Sequence, residues 1–289
     1  MQNGSFTPTI DGRRLHCEVH GQGPVLMALT NSWGLSLEGL RAMYRPLEER
    51  LTLVYFDPRG MGRSGPAVSD VDRGMAAVRA DFQALRLHLG LPKVNAIGWS
   101  NGAINLLILA SEHPETLASA VFVHGVASSG PEDVKEIASA RPKFFEDYKT
   151  FLAEIGKPGL STEAKDALQR RFWLEVYFPA LCADPATGRT LVATVFKDAR
   201  LSWAHAVQTE KETGASFDLR ARLASIPARS LVIAGRHDLL APDRVKVIAD
   251  GLPNSRFVVF EKSGHFSPVE EPEAFRDVVF EFLGVSRQR

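Results

Sequence analysis

Two cysteines, no surplus of either charge and no long apolar run set limits on this 289-residue chain. Each shortage removes a class of function. Cys17 and Cys182 are distant in sequence, so neither a disulfide framework nor a thiolate metal site is expected. Thirty-four basic side chains balance 34 acidic ones. Without excess Lys and Arg nothing drives counterion release from a phosphate backbone, which argues against nucleic acid and against an anionic membrane surface as partners. The apolar stretches at 25–29, 51–56 and 104–110 are far shorter than the roughly 20 residues a membrane span needs. The start, Met1-Gln2-Asn3-Gly4-Ser5, has no basic cluster followed by an apolar run, and a cytoplasmic protein is expected. What is present is ordinary for a globule: 45% hydrophobic and 24% charged residues, enough for one large domain or a domain with an insertion.

Short apolar runs bounded by Gly, Pro, Asn or Asp alternate with stretches of helical period, the pattern of parallel strands joined by crossover helices. Asp11-Gly12 signals a hairpin between 9–10 and 14–19. Strands are expected at 25–30, 51–56, 94–97 and 120–123, with helices at 38–50, 75–89 and 101–113. The pattern returns with strands at 230–234 and 257–260 and helices at 243–252 and 272–283. Between them, 134–155, 162–178 and 191–211 read as helices. The expected layout is therefore an α/β core, 1–126 and 226–289, with a mostly parallel central sheet and flanking helices, interrupted by a helical cap at 127–225. Eleven of the 25 aromatic residues fall between 131 and 225, enough either to line an apolar pocket or simply to pack cap helices on one another.

The strand at 94–97 runs into Gly98-Trp99-Ser100-Asn101-Gly102 and then into an apolar helix. A G-x-S-x-G nucleophile elbow requires that strand–turn–helix setting, because the serine sits on a strained turn and the flanking glycines avoid the neighbouring strand and helix. Serine is a weak nucleophile, so it needs a base, and the base needs an acid to hold its tautomer. The two late strands end in Gly235-Arg236-His237-Asp238 and in Glu261-Lys262-Ser263-Gly264-His265-Phe266. Ser100, Asp238 and His265 are thus the candidate nucleophile, acid and base, in the chain order Ser…Asp…His. The position after the strand at 120–123 holds His124-Gly125 and no carboxylate, which strengthens Asp238 as the acid. Acyl transfer also needs amide donors for the developing oxyanion. The N–H of Asn101 is the first, and the loop Asn31-Ser32-Trp33-Gly34 offers the second, Ser32 preferred and Asn31 next.

Gly60-Met61-Gly62-Arg63-Ser64-Gly65 matches the glycine pattern of a dinucleotide site. Pro66 follows at once, and Asp81, the acid about 20 residues on, falls inside a helix. No metal or organic cofactor is expected.

These residues resemble the α/β-hydrolase superfamily over essentially the whole chain. Phe56-Asp57-Pro58-Arg59-Gly60-Met61-Gly62-Arg63-Ser64 resembles its D-x-R-G-x-G-x-S segment, and Gly264-His265-Phe266 with Glu270 to Phe275 is similar to its histidine loop and following helix. Asn31-Ser32-Trp33-Gly34 looks like the Asn-Ser-x-Gly loop of enol-lactone hydrolases, while residues 55–64 and the helical cap resemble prolyl aminopeptidases.

The resemblance implies a serine hydrolase acting on a small, apolar, uncharged ester or lactone. Aminopeptidase or amidase activity, carbon–carbon bond hydrolysis, and a ligand receptor retaining the triad are the alternatives. Expected wall residues are Trp33, Trp99, Phe144, Phe145, Trp173, Tyr177, Phe178, Trp203 and Phe266. A peptidase would need a cap carboxylate facing the pocket, with Glu146, Glu154 and Glu175 as candidates. A monomer or homodimer is expected.

Overall fold

A computed structural model describes residues 1–285. Its centre is an eight-stranded sheet: β1 (Gly4–Phe6), β2 (Cys17–Gly21), β3 (Val25–Leu29), β4 (Thr52–Phe56), β5 (Val94–Trp99), β6 (Leu117–Val123), β7 (Arg229–Gly235) and β8 (Ser255–Phe260). The spatial order is β1-β2-β4-β3-β5-β6-β7-β8. The pairs β1–β2 and β2–β4 are antiparallel and the rest parallel. Period-two alternation divides the strands between two cores. Leu26, Ala28, Ile97, Val121 and Ile233 face one side, Met27, Leu29, Ala96, Phe122 and Val232 the other.

Helices α1 (Leu37–Tyr44) and α13 (Pro272–Leu283) cover the first face, and α2 (Gly74–His88), α3 (Asn101–Glu112) and α11 (Pro242–Gly251) the second. Between β6 and β7 lie α4 (Pro131–Ala140), α5 (Pro142–Ile155), α6 (Thr162–Phe172), α7 (Phe178–Leu181), α8 (Pro185–Val195), α9 (Trp203–Thr213) and α10 (Arg220–Leu223). The remaining α12 (Ser267–Glu270) precedes α13. Ser128–Ser129 pairs antiparallel with Phe217–Asp218, so the chain enters and leaves the helical segment side by side. Cys17 and Cys182 are both buried and free.

Several boundaries differ from the sequence expectation for identifiable reasons. The helix expected at 134–155 is two, because Pro142 disfavours a helical Arg141 (φ −135°, ψ 62°) and opens α5 instead. The helix expected at 38–50 tightens after Tyr44 into a 3₁₀ stretch that includes Pro46. The stretch at 162–178 contains a π-helical turn, Trp173–Tyr177, which periodicity does not reveal. The helix expected at 191–211 breaks between Val195 and Trp203, where Leu201 bridges to Leu35. Strand β1 was not expected; its three residues are too few to carry a pattern.

Candidate active site

Ser100 occupies the turn between β5 and α3 with φ 55° and ψ −121°, a backbone state that residues with a β-carbon seldom adopt. The turn is held from outside: the Ser100 amide donates to the Val123 carbonyl at 2.8 Å. Its glycines are steric necessities. A β-carbon on Gly98 would meet the Gly102 carbonyl oxygen at 2.3 Å, and one on Gly102 would meet that of Leu29 at 2.7 Å. The N-terminus of α3 thus abuts the serine, where its unsatisfied amides favour developing negative charge.

Asp238 lies on the loop after β7 with its side chain fully buried, and its Oδ2 is 2.7 Å from Nδ1 of His265 on the loop after β8. Oδ1 accepts the Leu240 amide at 3.1 Å. Burial alone would raise this carboxyl's pKa, but His265 and His124 outweigh it and hold it well below the usual carboxylate range. The histidine loop is pinned on several sides. The His265 amide donates to Leu181 O at 2.8 Å, and its carbonyl accepts the Trp99 indole N–H at 2.7 Å. Glu270 receives the amides of Gly264 and Phe266 at 2.9 and 3.0 Å. Trp99, the first x of the G-x-S-x-G motif, therefore ties the turn of Ser100 to the loop of His265.

His124, which entered the sequence reading only as the absence of an acid, is wholly buried here. Its Nδ1 lies 3.0 Å from Asp238 Oδ2, approached off the N–H axis, and its Nε2 is 2.9 Å from Ser267 Oγ. His124, Asp238 and His265 form the one cluster among the described residues able to offer three metal-ligand atoms. Both Nδ1 atoms lie within 3.0 Å of a single carboxylate oxygen, that of His265 hydrogen-bonded to it and that of His124 off axis.

The loop Asn31-Ser32-Trp33-Gly34 departs from expectation at Ser32. Its amide donates to Asn101 Oδ1 at 2.9 Å, its hydroxyl donates to the same oxygen at 2.5 Å, and the residue is buried away from the cavity. The Asn101 side chain has reached across to the loop, which a backbone pattern cannot show. Asn31, the next choice, lines the cavity beside Ser100 and His265, and its own Oδ1 accepts the Trp33 amide at 2.8 Å.

That cavity measures about 260 Å³. Trp33, Trp99, Phe144, Phe145, Trp173, Tyr177, Phe178 and Trp203 all line it. Phe266 does not. It is fully buried and packs its ring against Trp99, Phe178 and Phe196 at 5.1, 5.3 and 5.8 Å. Val134, Ile137, Tyr148, Phe151 and Leu181 line the cavity as well. So does Glu210, an exposed carboxylate of α9. Glu146, Glu154 and Glu175 stay out: Glu146 and Glu154 pair with Lys149 and Arg171 at the surface, and Glu175 faces another hollow. That larger hollow, about 870 Å³ along α5 and α6, contains none of Ser100, Asp238 or His265.

The glycine-rich loop at 60–65 is architecture. Asp57 accepts the Leu37 and Arg63 amides at 2.9 Å each, and a β-carbon on Gly62 would strike its carboxylate. Arg59 pairs with Asp72 and Asp81, which places Asp81 in a buried ion pair. His16 and His20, four residues apart, flank Glu18, itself paired with Arg41 and Arg63.

Residues 28–272 match the family model described as the alpha/beta hydrolase fold. The chain belongs to the α/β-hydrolase family. It is a hydrolase of that family. A protein of Pseudomonas savastanoi pv. phaseolicola named "Putative carbamate hydrolase RutD" is 29% identical over 273 residues, 93% of this chain and 97% of that protein. Among solved structures, an alpha/beta fold family hydrolase from Bacillus anthracis superposes with a TM-score of 0.75 at 19% identity, covering 98% of this chain and all of that one. The enol-lactonase of Burkholderia xenovorans gives 0.66 at 21% identity over 96% of this chain and all of its own. No helix among the described residues is long and apolar enough to cross a membrane.

Proposed function

We propose that the protein is a serine hydrolase that cleaves a small carboxylic ester or lactone through an acyl-enzyme. The observation that carries this reading is the 2.7 Å contact of a buried aspartate with His265, on a cavity that also contains the strained Ser100. Ser100 Oγ attacks the carbonyl while His265 Nε2 takes its proton and passes it to the departing alcohol. Asp238 keeps the proton of His265 on Nδ1 and stabilises the imidazolium. The Asn101 amide holds the oxyanion at the N-terminus of α3, and Asn31 replaces Ser32 as the loop donor, since the Ser32 amide is already committed. Water activated by His265 then releases the acid. The segment at 127–225 acts as the cap whose aromatic rings shape the substrate site.

The small aromatic cavity supports a compact substrate with an apolar body. A second reading, hydrolysis of an amide or carbamate by the same groups, draws on the carbamate hydrolase name of the 29% identical relative. The aminopeptidase version finds none of Glu146, Glu154 and Glu175 on the cavity, leaving Glu210 as the carboxylate able to meet an amino group.

Short-chain nitrophenyl esters, lactones, an aryl carbamate and proline anilide, each offered to wild type and to Ser100→Ala, rank these readings. Ester or lactone turnover that disappears in the variant is expected. Turnover unchanged by Ser100→Ala would remove Ser100 as nucleophile.

A further inference from the structure

Three loops at the carboxyl ends of β6, β7 and β8 meet beneath the candidate site, and His124 is where they touch. Its φ of 53° is a left-handed conformation unfavourable for a residue with a β-carbon. Its amide donates to Ile233 O of β7 at 2.8 Å, fixing that bend to the strand that carries Asp238. The bend brings the ring, fully buried, to Asp238 Oδ2 on one side and Ser267 of α12 on the other. The Ser267 amide, 3.4 Å from Nε2, can only donate. Nε2 therefore accepts, and the single proton of a neutral ring sits on Nδ1, towards the carboxylate.

We infer that His124 is a positioning residue of the triad: a second imidazole that shares the Asp238 oxygen with His265 and ties the acid's loop to the base's loop. The inference rests on the triad reading given above. Sharing has a chemical consequence. A carboxylate that already receives one N–H dipole attracts the His265 imidazolium less strongly than an undivided one. The groups facing His124 are Asp238 and the His265 ring, whose centroid is 5.1 Å away, with the Ser267 hydroxyl at Nε2. Glu270 lies behind the His265 loop, holding its amides. Burial, the largest influence on His124, keeps it neutral and outweighs the pull of Asp238.

His124→Phe retains a ring of similar size and removes the Nδ1 proton that faces Asp238. His124→Asn puts an N–H near the position of Nδ1 and tolerates positive φ. For Ser100-dependent ester hydrolysis, His124→Phe is expected to lower kcat by about tenfold, leave KM within about twofold, and move the acidic limb of the pH profile up by about half a pH unit, the size expected for one N–H dipole lost beside a charged group. His124→Asn should recover most of the kcat and return the limb. An unshifted profile in His124→Phe, or equal defects in both variants, would overturn the inference.

Histidine-ring nitrogen NMR separates this outcome from failure of the esterase reading, because it needs no substrate. The His265 Nδ1–H proton resonance should move downfield in His124→Phe even if no ester is turned over, as its bond to an undivided Asp238 oxygen strengthens, and an unmoved resonance refutes the shared carboxylate. Should His124→Phe not fold, the wild-type spectrum still decides. A proton on Nδ1 and a bare Nε2 for His124 at neutral pH are expected; the opposite tautomer excludes the contact.

Discussion

Replacing His205 by leucine should remove one identifiable part of this protein's sensitivity to acid. His205 on α9 is fully buried and wedged against the loops that carry Gly34 and Gly60: a β-carbon on Gly34 would lie 3.0 Å from its Cβ, and one on Gly60 3.3 Å from its Nε2. Neither ring nitrogen has a well-formed hydrogen bond. Burial, with a smaller push from Arg73, lowers its pKa from the ordinary 6.5 to about 4. The folded state thus refuses a proton that the unfolded chain accepts. The stability that goes with a neutral His205 is complete above pH 6.5 and is lost as pH falls from 6.5 towards 4. At 1.36 kcal/mol per pKa unit that loss is about 3 kcal/mol.

The wild-type profile alone will not display it. Asp57 is displaced in the opposite sense, raised from 3.8 to about 6 by burial against the pull of the Leu37 and Arg63 amides, so its protonation favours the folded state over nearly the same interval. That contribution is also about 3 kcal/mol, and the two largely cancel. The difference between wild type and His205→Leu isolates the histidine. Urea unfolding at pH 8, 6.5, 5 and 4 should show the leucine variant gaining about 3 kcal/mol on wild type between the ends of the series. A difference that changes by less than about 1 kcal/mol over that range would refute a His205 held neutral by the fold.

Two further outcomes follow from the site's geometry. Gly102→Ala places a methyl 2.7 Å from the Leu29 carbonyl oxygen and should cost about 3 kcal/mol or prevent soluble accumulation, whereas Gly130→Ala, with its nearest neighbour at 3.8 Å, should melt within a degree or two of wild type. Glu210→Gln should leave kcat/KM for neutral esters within about twofold and reduce it several-fold for esters bearing an ammonium group, by loss of a partly screened charge pair. Equal effects on both substrate types would show that Glu210 acts on the cavity's shape.

The surroundings of Ser100 were legible because they are local. A strand, a five-residue motif and a helix are contiguous, and the steric demand on Gly98 and Gly102 comes from their immediate neighbours. Asp238 and His265 were legible because each ends a strand in a sheet whose strands end together. Side chains that act across the fold were not. Nothing in the sequence says that Asn101 Oδ1 claims the Ser32 amide, or that Phe266, adjacent to the base, turns into the core. Glu210, Tyr148 and Phe151 face the cavity because of how α5 and α9 rotate against the sheet, which depends on contacts between helices separated by breaks at Pro142 and at 196–202. His124 was hidden differently: it was read for the carboxylate it lacks.

The two-residue ribbon of Ser128–Ser129 with Phe217–Asp218 has an evolutionary consequence. To the sheet, the 87 residues from 130 to 216 amount to one closed loop whose ends are already clasped. Closure entropy grows only logarithmically, so doubling such a loop costs about 0.6 kcal/mol. Strand register is therefore insulated from what happens beyond the ribbon, and lengthening, shortening or exchanging that stretch is a change of lining material that leaves Ser100, Asp238 and His265 on their strands.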